Sequence, residues 1–302
     1  MNVAIISLAD DKYYHLLNEL IDSVLSFDKG NNFKICIIDG GLTEEQIKLI
    51  EPKVHSIKKP KLNLKFNRIS TKDKPHLLGV SCRLFLREYF PDFDKYIWID
   101  SDAWINCWSG IEHLLKGSEN GKLAVSTIVD RHTARVMRVN WLFKNIGLVK
   151  SQNYKHANSS GYSTEISRKI GLKPTLNAGV FCLESNSKFW EIWIKNFEFS
   201  IKKGKIFGSD QVALNISVFH DGLEADILPH YCNWMPNTEN TKYSLELKKF
   251  VEAFTPNHTI GIMHLAGGVW INGKDMRFDK DLKAQIKTTD ENKISISFRF
   301  QN

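Results

Sequence analysis

Two aspartates separated by one residue, Asp100 and Asp102, follow an apolar run from Tyr96 to Ile99. Such a run reads as a short buried strand. In an open α/β sheet, ligands bind beyond the carboxyl ends of the strands. Two carboxylates in one turn can both face a hard divalent cation that keeps positions open for phosphate oxygens. A solvated turn is the plain alternative, since Asp is a common turn residue. Asp92-Phe93-Asp94 and Asp279-Lys280-Asp281 repeat the spacing, but neither follows an apolar strand.

His264 ends a second apolar run, Thr259–Met263, and precedes Gly267 and Gly268. A lone histidine is often structural. At a strand's carboxyl end, its imidazole could instead complete a two-carboxylate site, a donor set that suits manganese. The glycines would let backbone N–H groups come close to a phosphate. Arg83 and Lys274 are the candidate phosphate cations; Arg83 could grip a diphosphate bidentately or stand on the surface. Asp210 and Gln211 open a helix. Asp210 suits an N-cap, whereas Gln211 has no capping role, and an amide beside a carboxylate could read sugar hydroxyls.

The elements that must position these residues alternate. Val3–Leu8 is a continuous apolar strand, and Tyr14–Phe27 carries apolar residues at helical spacing. Lys34–Ile38 is a second strand. Thr43 and Gln46 form a capping-box pattern for the next helix. Leu62–Ile69 alternates as a half-buried strand, and Pro75–Phe90 is a third helix stopped by Pro91. Strand and helix in turn predict a mostly parallel sheet flanked by helices. Further on, Trp108–Leu115 reads as a helix and Lys122–Val129 as a strand. Val136–Leu148 reads as helical and Gln152–Gly161 as a polar loop. The stretch from Asp130 to Pro174, with Arg131, His132, Arg135 and Arg138, is either solvated surface or an acceptor-side lid. Leu176–Leu183 is a strand. Ser187–Lys202 is a helix whose Phe189, Trp190, Trp193 and Phe197 read as core. Asp279–Asn302 reads as a basic helix-like piece followed by an edge strand, Lys293–Phe300.

The chain has 302 residues, 42% hydrophobic and 25% charged, which suits one large α/β domain with a full core. No apolar run is long enough for a membrane-spanning helix, and the N-terminus lacks a basic leader. Five cysteines in no CxxC pair point to a reduced compartment rather than a disulfide framework or a zinc site. The formal charge of +7 fits an anionic partner. Without a dense Arg/Lys patch interleaved with aromatics, nucleic acid is not expected.

Seven pieces, in order, resemble the family 8 glycosyltransferases, retaining enzymes of GT-A fold that use nucleotide sugars. They are Ala9-Asp10-Asp11-Lys12-Tyr13, Ser81-Cys82-Arg83-Leu84, Tyr96–Asp102, Asn177-Ala178-Gly179-Val180, Asp210-Gln211 with Leu214-Asn215, Asn233-Trp234, and His264 with Gly267. The resemblance runs from about Asn2 to Lys274, and its pattern is nearest to bacterial lipopolysaccharide α-galactosyl- and α-glucosyltransferases. It implies that Asp100, Asp102 and His264 bind Mn2+ (or Mg2+) bridging a UDP diphosphate. It also implies that Asp10 hydrogen-bonds uracil and Tyr13 stacks on it. Arg83, Asn177, Ala178 and Asp210 would hold the donor, with Gln211 beneath the anomeric carbon and Gly267 and Lys274 at phosphate. Two departures stand out. Lys12 replaces the Asn of many members. The lysine that the family often places soon after the histidine is missing from Gly267-Gly268-Val269-Trp270, and Lys274 comes late.

The resulting expectation is a GT-A catalytic domain over 1–275 with a C-terminal appended segment over 276–302. Its activity would be metal-dependent transfer of a hexose from UDP-galactose or UDP-glucose to a saccharide or glycolipid, with Asp210 and Gln211 as the catalytic pair. The rival is a non-catalytic nucleotide-sugar-binding protein on the same fold. A nucleotidyltransferase would need an N-terminal glycine-rich phosphate loop, which Leu8-Ala9-Asp10-Asp11 does not offer. The expected location is cytoplasmic, with the basic C-terminal piece reaching the inner face of a membrane.

Overall fold

In the computed structural model, residues 1–61, 80–128, 137–203 and 208–301 are described. The first strand, Val3–Ala9, is buried along nearly its whole length, as a strand covered on both faces must be. It is a central member of a seven-stranded sheet. Across that sheet the strands run Ala225–Leu228, Leu123–Thr127, Leu176–Glu184, Lys95–Ile99, Val3–Ala9, Lys34–Asp39 and Ser56–Lys58. Leu176–Glu184 is antiparallel to both its neighbours. The other four pairings are parallel. The expected mixed, mostly parallel α/β sheet is therefore present.

Strand pleating sends successive side chains to opposite faces. Ala4, Ile6, Tyr96, Trp98 and Phe181 meet Phe189, Trp190, Trp193 and Phe197 from the helix Phe189–Lys203 on one face. Val3, Ile5, Ile97 and Ile99 meet Leu17, Leu20, Ile21 and Val24 from the helix Tyr14–Leu25 on the other. Trp190 and Trp193 are wholly buried, so the aromatic cluster is core, as its spacing predicts. Burying an apolar side chain of this size stabilises the fold by roughly 1.5–3 kcal/mol.

A second, four-stranded sheet runs Lys249–Glu252, Thr241–Ser244, Ala284–Thr288, Lys293–Ile296. Its core holds Trp104, Trp234, Met263, Leu265, Met276 and Phe298. Those contacts bind the segment after residue 275 to the strands that carry the candidate ligands.

Several local expectations change. Met137–Leu142 and Asn145–Ser151 form an antiparallel hairpin, not a helix. The alternation of Met137, Val139 and Trp141 prevails once a partner strand supplies the ladder. Gln152–Ser159 is a helix rather than a loop, capped by Ser151, whose hydroxyl accepts from the Tyr154 amide. It buries only Asn153 and Ala157, too few positions for an apolar stripe to show in the sequence. Ala284–Thr288 is a strand where a helical piece was expected: Ala284, Ile286 and Thr288 are buried and Gln285 and Lys287 exposed, a period of two. Lys293–Ile296 does lie at a sheet edge. The third helix is represented by helical residues 80–82 and a short helix, Leu86–Tyr89, with Arg83 in the break between them. The strand expected over Leu62–Ile69, the first residues of that helix, and Arg131, His132 and Arg135 lie outside the described residues; Arg138 is described by its backbone alone.

Candidate active site

The turn at Asp100-Ser101-Asp102 is held by its backbone. The Asp100 amide donates to Gly179 O at 2.8 Å, and the Ala103 amide donates to Asp100 O at 3.0 Å. The chain then enters the short strand Ala103–Ile105, which pairs antiparallel with Ile262–His264. That register sets His264 opposite Ala103, and the Leu265 amide closes the pair on Asp102 O at 2.8 Å. Residues 162 positions apart in the chain thereby share one corner of the sheet. His264 Nε2 lies 3.2 Å from Asp102 Oδ1 and 3.9 Å from Asp100 Oδ2. One donor atom from each residue falls within 4.8 Å of the others.

The surroundings fit a cation at this point. His264 Nδ1 is 2.7 Å from Asn233 Oδ1. With the Nδ1 proton donated to that oxygen, Nε2 is the atom that faces the carboxylates: it donates to Asp102 when protonated, and its lone pair would serve a bound metal, an arrangement that orients metal-binding histidines. Gly179 completes the fit. A Cβ there would come within 2.5 Å of His264 Cε1 and 2.6 Å of Asp100 Oδ2, so the cluster requires a residue without one. Burial opposes charge on Asp102, but the hydrogen bond and charge of His264, and then Arg277, outweigh it and lower the carboxyl pKa. Burial likewise opposes protonation of His264, and the Asp102 hydrogen bond and charge reverse the sign and raise its pKa. Two carboxylates and an imidazole form a donor set suited to manganese or magnesium.

Arg83 ties this corner to the helix Ser209–Phe219. Its Nη2 donates to Asp100 Oδ1 at 3.1 Å and its Nη1 to Ala178 O at 2.8 Å, while Nη1 lies 3.1 Å from Asp210 Oδ2. The guanidinium sits over the Trp98 ring, 4.9 Å from its centroid, and the Trp98 indole donates to Asp100 Oδ1 at 2.7 Å. Arg83 is therefore an interior residue. Burial disfavours its charge, but Asp100 and then Asp210 hold its pKa up. Asp210 is not the cap of its helix, because Gly208 occupies that position with a left-handed φ of 82°. Burial lifts the Asp210 pKa, against the pull of Arg83.

Asp10, Tyr13, Arg83, Trp98, Asp100 and Asp102 line a cavity of about 430 Å³. Asp10 also caps the turn Asp11–Tyr13, its Oδ1 accepting from the Tyr13 amide at 3.1 Å. Asn177 is buried, and its Oδ1 accepts from the Gly179 amide at 2.7 Å. Gly267 adopts a φ of 75° with open space where a Cβ would stand. Gln211 follows Asp210 in the first turn of the helix and is partly exposed. Lys274 is not gathered in. Its side chain is 69% exposed and pairs with Asp279 at 3.4 Å. Arg277 approaches instead, with Nη1 3.4 Å from Asp102 Oδ2 and 3.3 Å from the Tyr13 hydroxyl.

Sequence reasoning did not single out Trp98, Arg277 or the steric role of Gly179. Trp98 was hidden among strand residues and Arg277 beyond the recognisable motifs. Gly179 had a signal, a lone glycine inside an apolar strand, which marks a close approach.

The sequence model of Glycosyl transferase family 8 matches residues 4–187. The match spans Asp10, Arg83, Asp100, Asp102 and Gly179; Asp210, Gln211 and His264 lie beyond it. Among solved structures, the chain resembles the galactosyltransferase LgtC in complex with donor and acceptor sugar analogues. That likeness has a TM-score of 0.51 and 15% identity, covering 87% of this chain and 87% of that one. It also resembles the bifunctional glycosyltransferase WbbM, with a TM-score of 0.54 and 16% identity over 91% of this chain and 48% of that one. At these identities the likeness shows a common GT-A fold. No curated protein matches the chain. With the family match running over more than half of its length, the chain belongs to glycosyl transferase family 8.

Proposed function

We propose that this glycosyltransferase moves a hexose from UDP-galactose or UDP-glucose to a saccharide or glycolipid acceptor with retention of configuration. The observation that carries the reading is the Asp100–Asp102–His264 cluster, which borders the cavity lined by Asp10 and Tyr13. Mn2+ or Mg2+ held by those three residues would offset the charge of the departing diphosphate. Tyr13 offers an aromatic face to the uracil, and Asp10 offers an acceptor to its N–H. Arg83, fixed by Asp100, Ala178 O and Asp210, offers a rigid wall for the sugar together with Asn177.

With Gln211 rather than a carboxylate beneath the anomeric carbon, transfer with retention implies a same-face displacement. The bond from the anomeric carbon to the phosphate oxygen breaks as the acceptor oxygen bonds to that carbon, and the acceptor proton passes to the departing phosphate. Gln211 would stabilise positive charge at the anomeric carbon through its carbonyl dipole, an electrostatic effect that preorganisation enlarges.

We further propose a catalytic unit over 1–275 with an appended segment over 276–302, which packs against it and brings Arg277 to Asp102, and a cytoplasmic location. No helix among the described residues is long and apolar enough to cross a membrane. Lys280, Lys283 and Lys287 are exposed, and each surface lysine can contribute about 1 kcal/mol at an anionic bilayer.

The test is a panel of nucleotide sugars with purified protein, read out by UDP release with manganese and with EDTA. Turnover of one UDP-hexose that EDTA abolishes is expected. Nucleotide binding without turnover, across a panel of saccharide and glycolipid acceptors, would establish the binding-protein alternative.

A further inference from the structure

Three cations are candidates to meet a donor phosphate, and they differ in what holds them. Lys12 lies over the Phe278 ring, 4.7 Å from its centroid. Lys274 projects outward and pairs with Asp279. Arg277 is only 14% exposed and is gripped on one side: its Nε and Nη2 meet Asp275 Oδ2 at 3.0 and 2.8 Å. Asp275 is itself fitted against Gly268, where a Cβ would come within 2.7 Å of its carboxylate. The grip leaves Nη1 pointing at the candidate site. There it has two long contacts, 3.3 Å to the Tyr13 hydroxyl and 3.4 Å to Asp102 Oδ2. Both sit at the weak end of hydrogen-bond distance.

We propose that Arg277 is a positioning residue with two partners. It holds Asp102 before the donor binds, and it turns Nη1 to the donor's diphosphate on binding, the part the sequence motif left to Lys274. The inference rests on the reading of the site as a UDP-sugar site. Its physical content is a sign difference. A cation beside Asp102 repels a second cation from that carboxylate, so Arg277 weakens the binding of metal alone. The same cation attracts a diphosphate, so it strengthens the binding of nucleotide.

Arg277→Gln removes the charge and Lys274→Gln is the comparator. Mn2+ alone is titrated by the EPR signal of free manganese. UDP and uridine are then titrated calorimetrically at saturating Mn2+. For Arg277→Gln the expected results are severalfold tighter Mn2+ binding, UDP binding weakened at least about tenfold, as for the loss of a charge-assisted hydrogen bond, and unchanged uridine binding. Lys274→Gln should match the wild type throughout. A merely structural role would weaken all three ligands together. Arg277→Met removes the charge from an unbranched side chain and carries the same expectations if the Gln variant does not fold.

UDP affinity within twofold of wild type in the folded neutral variant, or its loss in Lys274→Gln, overturns the proposal alone. A wild-type protein that binds no UDP with Mn2+ overturns the donor-site reading and this inference with it.

Discussion

Gly179→Ala is the sharpest test of the candidate metal centre, because the substitution adds one methyl group and no charge. Gly179 lies inside the strand Leu176–Glu184, where alanine is otherwise better by about 0.5–1 kcal/mol. The new Cβ would stand 2.5 Å from His264 Cε1, 2.6 Å from Asp100 Oδ2 and 2.8 Å from Asn177 Oδ1, whereas ordinary contact begins at 3.4 Å. The imidazole must therefore withdraw by about 0.9 Å, or the strand must shift by a like amount. Overpacking of this kind costs roughly 1–3 kcal/mol. The net effect is a loss of about 1–2 kcal/mol, or a few degrees in Tm for a chain of this size. Metal centres tolerate ligand displacements of only about 0.2 Å, so Mn2+ affinity should fall at least about tenfold, as when an outer-shell partner is lost. The assay is Mn2+ titration by EPR with a thermal melt on the same sample. Gly117→Ala, which crowds Leu228 and Ala124 at 3.0 and 3.1 Å, is the control. It should leave Mn2+ binding unchanged. Wild-type Mn2+ affinity in a folded Gly179→Ala would refute the placement of the cluster around that glycine.

Asp102→Asn should abolish manganese-dependent transfer while the far-UV circular dichroism spectrum persists; normal activity at low manganese would remove Asp102 from the ligand set. Asn233→Ala should weaken Mn2+ binding by about 10–100-fold, because the His264 Nδ1 proton loses its acceptor; an unchanged titration would count against a proton on Nδ1. Gln211→Ala should lower kcat and kcat/KM together with UDP affinity kept, the pattern of an interaction made only in the transition state; full kcat would make the residue structural. The fourth concerns the thiols. Burial pushes Cys36, Cys182 and Cys232 up to about 12 and Cys82 to about 11, leaving almost no thiolate at pH 8. Cys107 alone is partly exposed. A disulfide reagent at pH 8 should label one thiol in the native protein and five after denaturation; several fast-reacting thiols would contradict the burial.

Elements that carry a strong period were legible from sequence, because burial on one or two faces imposes it. The strand Lys95–Ile99, the helix Tyr14–Leu25 and the aromatic helix Phe189–Lys203 all appear where their patterns put them. Weakly patterned elements were not legible. The helix Gln152–Ser159 buries two residues, and the second sheet is built from four- and five-residue strands whose partners lie up to 45 positions away, as Lys242 from Lys287. Ladder bonds between such strands come from partners no local window contains.

The same division runs through the candidate site. By itself, the sequence determined the identity of the groups: two carboxylates after a strand, a histidine after another, an arginine, and an Asp-Gln pair at a helix start. Only the tertiary structure decided their distances. The pairing of Ile262–His264 with Ala103–Ile105 brings His264 to Asp102, and a break in a helix turns Arg83 inward between Asp100 and Asp210. It also left Lys274 exposed and paired with Asp279, and brought Arg277 to Asp102. The physical reason is that a side chain's type is local, whereas its neighbours are set by register and packing between segments far apart in the chain.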